Sequence, residues 1–190
     1  MAKQQRRRFE RGSTHADFST HLPQMSEAEL VRAVEKNESA LVLVLDCVQD
    51  PHNLGACMRS ANAAGAIAVV IPKDKSAGLT DVARHVASGA AEHTPLVAVT
   101  NLSRTMDKLK DAGMWFVGTS DRGESSIYEI DMRGRTGIVM GMEGTGMRRL
   151  VSESCDYLAV IPMVGQVDCL NVSVATGVCL FEAVRQRGAN

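Results

Sequence analysis

Three stretches of the chain carry polar side chains suited to chemistry, and each follows a run of apolar residues. The first, DPHN at 50–53, ends on Asn53 and is followed by Arg59. The second, GMEGTGM at 141–147, holds a single carboxylate, Glu143, among three glycines. The third, QVDCLNVS at 166–173, closes on Asn171 and Ser173. Amides both donate and accept hydrogen bonds, a carboxylate accepts them, and a guanidinium offers a planar fork that matches phosphate. Glu143 could accept from a helix end, from Arg59, from a substrate or from a purely structural partner. His52 is of the residue type that acts as general base near neutral pH, although a lone histidine in a turn is more often structural. The glycine loop lacks both GxGxxG before a long helix and the GK[ST] of a P-loop, which argues against dinucleotide or triphosphate binding. It leaves room for backbone approach to a flat ligand such as an adenine, or for a simple tight turn. No GxSxG elbow is present, and the scattered His and Cys give no metal-ligand spacing.

The elements that must position these residues alternate between strand and helix. LVLVL at 41–45 is a continuous apolar run of the kind buried on both faces of a sheet. Further strands are expected at 66–71, 96–99, 114–119 and 137–141, and in a run that begins near Tyr157 and stops at Pro162, which cannot donate into a ladder. Ser26 with Glu29 forms a capping box for a short helix through Lys36. Asn53 is placed to cap a helix over 54–64 that Gly65 ends, and another helix is expected around 80–88. The stripe Leu102, Met106, Leu109 marks a helix over 101–112. Asn171 is placed to cap the last helix, whose apolar positions are Val174, Val178, Leu180, Phe181 and Val184. Residues 121–135 read as polar and turn-rich. The alternation predicts an α/β fold: a mostly parallel sheet with helices on both faces. Ligands of such sheets bind beyond the carboxyl ends of the strands, and helix N-termini favour anions, so 164–170 is a candidate site.

Composition narrows the function classes. Hydrophobic residues make up 45% and charged residues 23%, ordinary for a soluble domain, and 190 residues suffice for one domain with an extension. The expected organisation is a basic arm at 1–24, a short helical lead-in at 25–40 and one domain over 41–190. Aromatics are only 4%, so nucleic-acid contacts would rest on charge and backbone rather than stacked rings. The net charge of −1 conceals an excess of +3 in residues 1–21, where Lys3, Arg6, Arg7, Arg8 and Arg11 face Glu10 and Asp17. Arg6, Arg7 and Arg8 could form an RNA-binding tail, or this stretch could be a solvated linker or the remnant of a longer region. Five cysteines without a CxxC pair suggest free thiols in a reducing cytoplasm. The longest apolar stretch, near 63–72, is too short to cross a bilayer, and no apolar segment of a secretory signal follows the arginines.

Taken together the three stretches resemble the SpoU branch of the SPOUT RNA methyltransferases, TrmH-like enzymes that methylate a ribose 2′-hydroxyl. The likeness rests on DPHNLGACMRSANAAG at 50–65, IVMGMEGTGM at 138–147 and IPMVGQVDCLNVSVATGVCLFEA at 161–183, in that order, and covers about residues 41–187. The intervening text VASGAAEHTPLVAVTNLSRTM is similar to the RlmB-like branch, which modifies a guanosine of large-subunit ribosomal RNA. The resemblance implies a C-terminal trefoil knot, S-adenosylmethionine as cofactor, an RNA substrate, a homodimer, and neither metal nor membrane. It implies that Thr119, Gly141, Glu143, Ile161, Met163, Leu170 and Asn171 surround the cofactor. It implies that Asn53, Arg59, Glu143 and Asn171 carry or organise catalysis, with Arg59 and Ser173 toward the RNA. Methylation of transfer RNA, or an RNA-binding module with weak or lost catalysis, are the competing readings. Where the family usually has serine before Leu-Asn-Val-Ser, this chain has Cys169.

Overall fold

The computed structural model describes residues 22–121 and 123–188. Seven strands form one sheet: β1 (Leu41–Leu45), β2 (Ala68–Pro72), β3 (Leu96–Val99), β4 (Trp115–Thr119), β5 (Ser125–Ser126), β6 (Thr136–Met140) and β7 (Tyr157–Val160). They lie in the order β3-β2-β1-β6-β4-β7-β5, and every pair is parallel. The helices are α1 (Glu27–Glu35), α2 (Pro51–Ala63), α3 (Asp81–Ala87), α4 (Leu102–Asp111), α5 (Arg149–Glu153) and α6 (Val172–Gly188).

All five residues of β1 are buried, and their alternation divides the core into two layers. Leu41, Leu43 and Leu45 face a cluster with Leu54 and Met58 of α2, Ala83 of α3, and Cys179 and Leu180 of α6. Val42 and Val44 face the other cluster, with Leu30 and Val34 of α1, Met106 and Leu109 of α4, and Val151 of α5. Helices therefore cover both faces of a parallel sheet, as the strand–helix alternation predicts. The capping box of Ser26 and Glu29 is formed, and α1 sits within the second core layer.

The structure differs from the sequence expectations in one boundary and two burial patterns. The second helix starts at Pro51 rather than Leu54, because Asp50 is the cap: its carboxylate accepts the His52 amide at 2.9 Å. Proline at the first helical position loses no hydrogen bond there. Asn53 thus lies inside the first turn and its side chain is left for tertiary contacts. Residues 121–135 are less open than their polarity suggests, since Ile127, Ile130 and Met132 enter the core from a short strand and a single 3-10 turn. The apolar stripe expected on the last helix is only partly buried. Val174 is 53% exposed and Phe181 48%, whereas Val172, Ala175, Thr176, Cys179, Leu180 and Ala183 face inward. The helix is apolar around most of its girth, so helical spacing alone does not choose which face packs.

Two features fix the C-terminal part. β7 lies between β4 and β5, so the connection from Thr119 to Ser125 crosses over it. Gly123 makes that crossing fit: a Cβ there would lie 2.7 Å from the Leu158 oxygen and the Ala159 carbonyl carbon. At the far end of α6, Gln186 donates to the Ile130 carbonyl (2.9 Å) and accepts the Met132 amide (2.8 Å), tying the helix to the 130–134 segment.

Candidate active site

The three polar stretches meet at the carboxyl ends of the central strands, and Glu143 is where they join. Residues 141–147 leave β6 as a tight turn closed by two backbone bonds, Met142 N–H to Gly146 O (3.1 Å) and Gly146 N–H to Met142 O (2.8 Å). Gly141 has no room for a side chain, because a Cβ would run into the Gly146 carbonyl carbon and the Met147 nitrogen. The turn presents Glu143 to the start of α6. Its Oε1 accepts the Asn171 side-chain amide at 2.7 Å, the Val172 backbone amide at 3.2 Å and the Asn53 amide at 3.4 Å. A carboxylate at a helix N-terminus is favoured by the free amides and the dipole there.

Asn171 is fully used within the chain. Its Nδ2 donates to Glu143 and to Asn53 Oδ1 (3.0 Å), and its Oδ1 accepts the Ser173 amide (2.9 Å) and hydroxyl (2.6 Å). The bond to the Ser173 amide is the helix cap expected of Asn171. Both protons and both acceptor positions of the amide are taken, which fixes its orientation. Beneath this group, Thr176 donates to the Val172 carbonyl at 2.7 Å and lies 3.4 Å from the Cys57 sulfur. Burial pushes the Cys57 thiol up to about 11, so it stays protonated at neutral pH.

Arg59 stands apart from this group within one chain. It lies six residues beyond Asn53, about 9 Å along the helix, and its Nη1 donates to Ser88 Oγ at 3.4 Å. Ser88 adopts a left-handed conformation (φ 50°) at the end of α3. His52 turns to Asp50, with Nδ1 3.2 Å from Oδ1, and serves the helix start instead of the Glu143 group. Arg6, Arg7 and Arg8 lie outside the described residues.

The residues expected around a cofactor lie at adjacent strand ends. Thr119 closes β4, Gly141 follows β6 and Ile161 follows β7, and β4 pairs with both of the others. Ile161 and Leu170 are half-buried against the core, while Met163, Val164 and Val167 between them are 36%, 104% and 63% exposed. An apolar loop of this kind, open at the strand ends and beside free backbone groups, suits a ligand with a flat apolar ring and a polar tail. Cys169 is exposed in the same loop. Among the described residues no three His, Cys, Asp or Glu side chains gather as for a metal ion, and no helix is long and apolar enough to cross a membrane.

Two residues of this region escaped sequence reasoning. Asp46, directly after β1, is fully buried and binds Arg148, directly after the glycine turn. The available signal was an acid at the end of an otherwise apolar buried run, but its partner is 102 residues away.

The model of the SpoU rRNA Methylase family matches residues 40–181, which takes in all three stretches. The chain belongs to this family. A relative from Pseudomonas syringae pv. tomato, 23S rRNA (guanosine-2′-O-)-methyltransferase RlmB, is 61% identical over 164 residues, covering 86% of this chain and 66% of its own length. The chain thus spans just under two thirds of that curated family member. The crystal structure of the SpoU methyltransferase AviRb from Streptomyces viridochromogenes, in complex with the cofactor AdoMet, superimposes with a TM-score of 0.76 at 28% identity, over 81% of this chain and 63% of that one. The A. aeolicus TrmH/SpoU tRNA modifying enzyme gives 0.72 at 29% identity, over 85% and 84%. These two structures therefore share the chain's fold over more than four fifths of its length.

Proposed function

We propose that the protein transfers a methyl group from S-adenosylmethionine to the ribose 2′-hydroxyl of a guanosine in 23S ribosomal RNA. The observation that carries this reading is the Glu143 junction, which joins the three family stretches through Asn53 and Asn171 beside an open apolar loop. The 61% identity to a 23S rRNA guanosine enzyme favours ribosomal over transfer RNA, since the tRNA-modifying neighbour stands at 29%.

Thr119, Gly141, Ile161, Met163 and Leu170 would hold the cofactor, with Glu143 and Asn171 at its reacting end. S-adenosylmethionine supplies an electrophilic methyl when bound. The chain's own groups then do the rest. Asn171, saturated by Glu143, Asn53 and Ser173, is a positioning residue that keeps the loop and the helix start in one geometry. Ser173 and Arg59 face the RNA. Arg59 would grip the phosphate beside the reacting ribose with its planar fork, and that phosphate would orient the hydroxyl and accept its proton as the methyl's sulfur–carbon bond breaks and its bond to the 2′-oxygen forms, leaving a neutral thioether. A base role for Arg59 is less suited, because a guanidinium offers only hydrogen-bond donors and no acceptor.

The active site is completed across a homodimer. Supporting this are the distance of Arg59 from the Glu143 group and the exposed Val174 and Phe181 on α6, the helix whose start bears Asn171. The C-terminal segment threads a trefoil knot, a departure from the usual unknotted chain; the crossing of the 119–125 connection over β7 supports it. Residues 41–190 act as the methyltransferase domain, with 25–40 as its lead-in and 1–24 as a basic arm toward RNA, all in the cytoplasm, where five free thiols persist.

The test is methyl transfer from labelled S-adenosylmethionine to 23S rRNA and, separately, to total tRNA, with the modified ribose mapped. Label on a guanosine 2′-oxygen of 23S rRNA is the expected result. Label on tRNA alone would move the substrate, and bound cofactor with no label on either RNA would overturn the enzymatic reading.

A further inference from the structure

Asp46 is the one carboxylate the sheet delivers, wholly buried, to the root of the Glu143 turn. Its backbone amide donates to the Met140 carbonyl at 2.8 Å, extending the β1–β6 ladder to the residue before the turn. Its side chain takes hold of the residue after the turn: Oδ2 accepts the Arg148 backbone amide at 2.7 Å, Oδ1 accepts Arg148 Nε at 2.7 Å, and Nη2 completes the ion pair 2.6 Å from Oδ1. Cys47, at φ 64°, bends the chain sharply after β1 and adds its thiol to Oδ1 at 3.4 Å. A left-handed conformation at a residue with a Cβ costs roughly 1 kcal/mol or more and persists only where the surroundings hold it. A buried carboxylate likewise persists because it is paired and hydrogen-bonded. Both ends of the 141–147 turn are therefore tied to one residue, and the turn's tip is Glu143.

We propose that Asp46 and Arg148 are positioning residues for methyl transfer, a clamp that sets where Glu143 meets Asn171 and the start of α6. This rests on the methyltransferase reading. The Glu143 turn has few other constraints: residues 143–146 are exposed, so its place is set by its two roots and by the bonds Glu143 itself makes. Loosening the exit root lets the carboxylate drift from the helix start. Displacements of about an ångström at a reacting centre cost up to about 100-fold in rate.

The test centres on Arg148→Ala, because the Arg148 side chain is 46% exposed and its loss leaves the backbone amide on Asp46, whereas Asp46→Asn risks misfolding. Arg148 also borders an open crevice of about 310 Å³ with Thr100, Asn101 and Arg149, so the space its side chain vacates in the variant opens to solvent and can admit a small guanidinium. In Arg148→Ala, kcat should fall about 10- to 100-fold with KM for RNA little changed. Added methylguanidinium should restore a good part of it, in this variant and not in the parent. Amide hydrogen exchange should quicken over 142–147 and at the start of α6, and slow again with methylguanidinium. A kcat within twofold of the parent, or a loss that methylguanidinium does not relieve, would overturn the clamp. If the parent itself transfers no methyl, the methyltransferase reading fails, and exchange alone decides: unchanged protection of 142–147 in Arg148→Ala would refute the clamp.

Discussion

Each functional side chain here is defined by what saturates it. Asn171 has no hydrogen-bonding capacity left, Glu143 has three donors on one oxygen, and Arg59 has one long bond to Ser88. A group with spare donors on an exposed helix face is free to take a ligand, which is why Arg59 and not Asn171 is expected to meet the RNA. Arg59→Lys keeps the charge but not the fork, and a point charge cannot make the paired bonds a phosphate accepts. Its methyl transfer should drop at least about tenfold while S-adenosylmethionine binding, measured by calorimetry, stays near the parent's. Near-normal turnover in that variant would exclude phosphate gripping by the fork. Other thiols resemble Cys57: burial holds the buried Cys179 and the half-buried Cys155 at about 12 and raises Cys47, which leaves Cys169 as the exposed cysteine of the five.

At the scale of elements, the last helix does three jobs along its length. Its start carries Asn171 and meets Glu143, its middle packs on α2, and its end grips the 130–134 segment through Gln186 and Arg187, with Glu182 bonding Gln186 and Arg185 within the helix. Glu182 is only 5% exposed, and the Arg185 fork, with help from Gln186, holds its carboxyl below the ordinary 4.5. Arg185 itself is largely in solvent, so the pair's contribution to stability is modest. Its sign is nevertheless fixed. A carboxyl whose folded value is lowered stabilises the fold above 4.5 and loses that contribution as pH falls through the lowered value. Denaturant midpoints of the parent and of Glu182→Gln should differ most at neutral pH and converge on acidification from about pH 6 to 3. A difference that stays flat across that range would mean the charge itself contributes nothing. Sequence reasoning found this helix and its cap, but of the apolar positions it named Leu180 is buried, Val178 and Val184 are partly buried, and Val174 and Phe181 face outward, since these follow helical spacing as well as Val172, Ala175 and Cys179 do.

The whole molecule leaves the outward apolar residues Val174 and Phe181 of α6 uncovered. One aliphatic and one aromatic side chain, each exposed by about half on the helix that Asn171 caps, suit a partner surface, which in the proposed homodimer a second copy of the chain would supply with the same helix. On the proposed homodimer the parent should sediment as a dimer and the double variant Val174→Glu, Phe181→Glu as a monomer, which should lose methyl transfer while its circular dichroism is kept. An active monomer would show that one chain suffices.

Sequence alone determined the strand–helix alternation, the buried character of β1 and the identity of the three polar stretches, because these depend on local patterns: runs, caps and residue types within a turn or two. It also separated the stretches that matter from the motifs that fail, such as the P-loop. The partner of each polar group was a different matter. Asn53, Glu143 and Asn171 are 90 and 28 residues apart in the chain, and Asp46 and Arg148 are 102 apart. Only the order in which parallel strands pair brings their carboxyl ends together. Which face of an all-round apolar helix turns inward was likewise settled by packing against α2, since burial is decided by what lies opposite and not by the helix's own period.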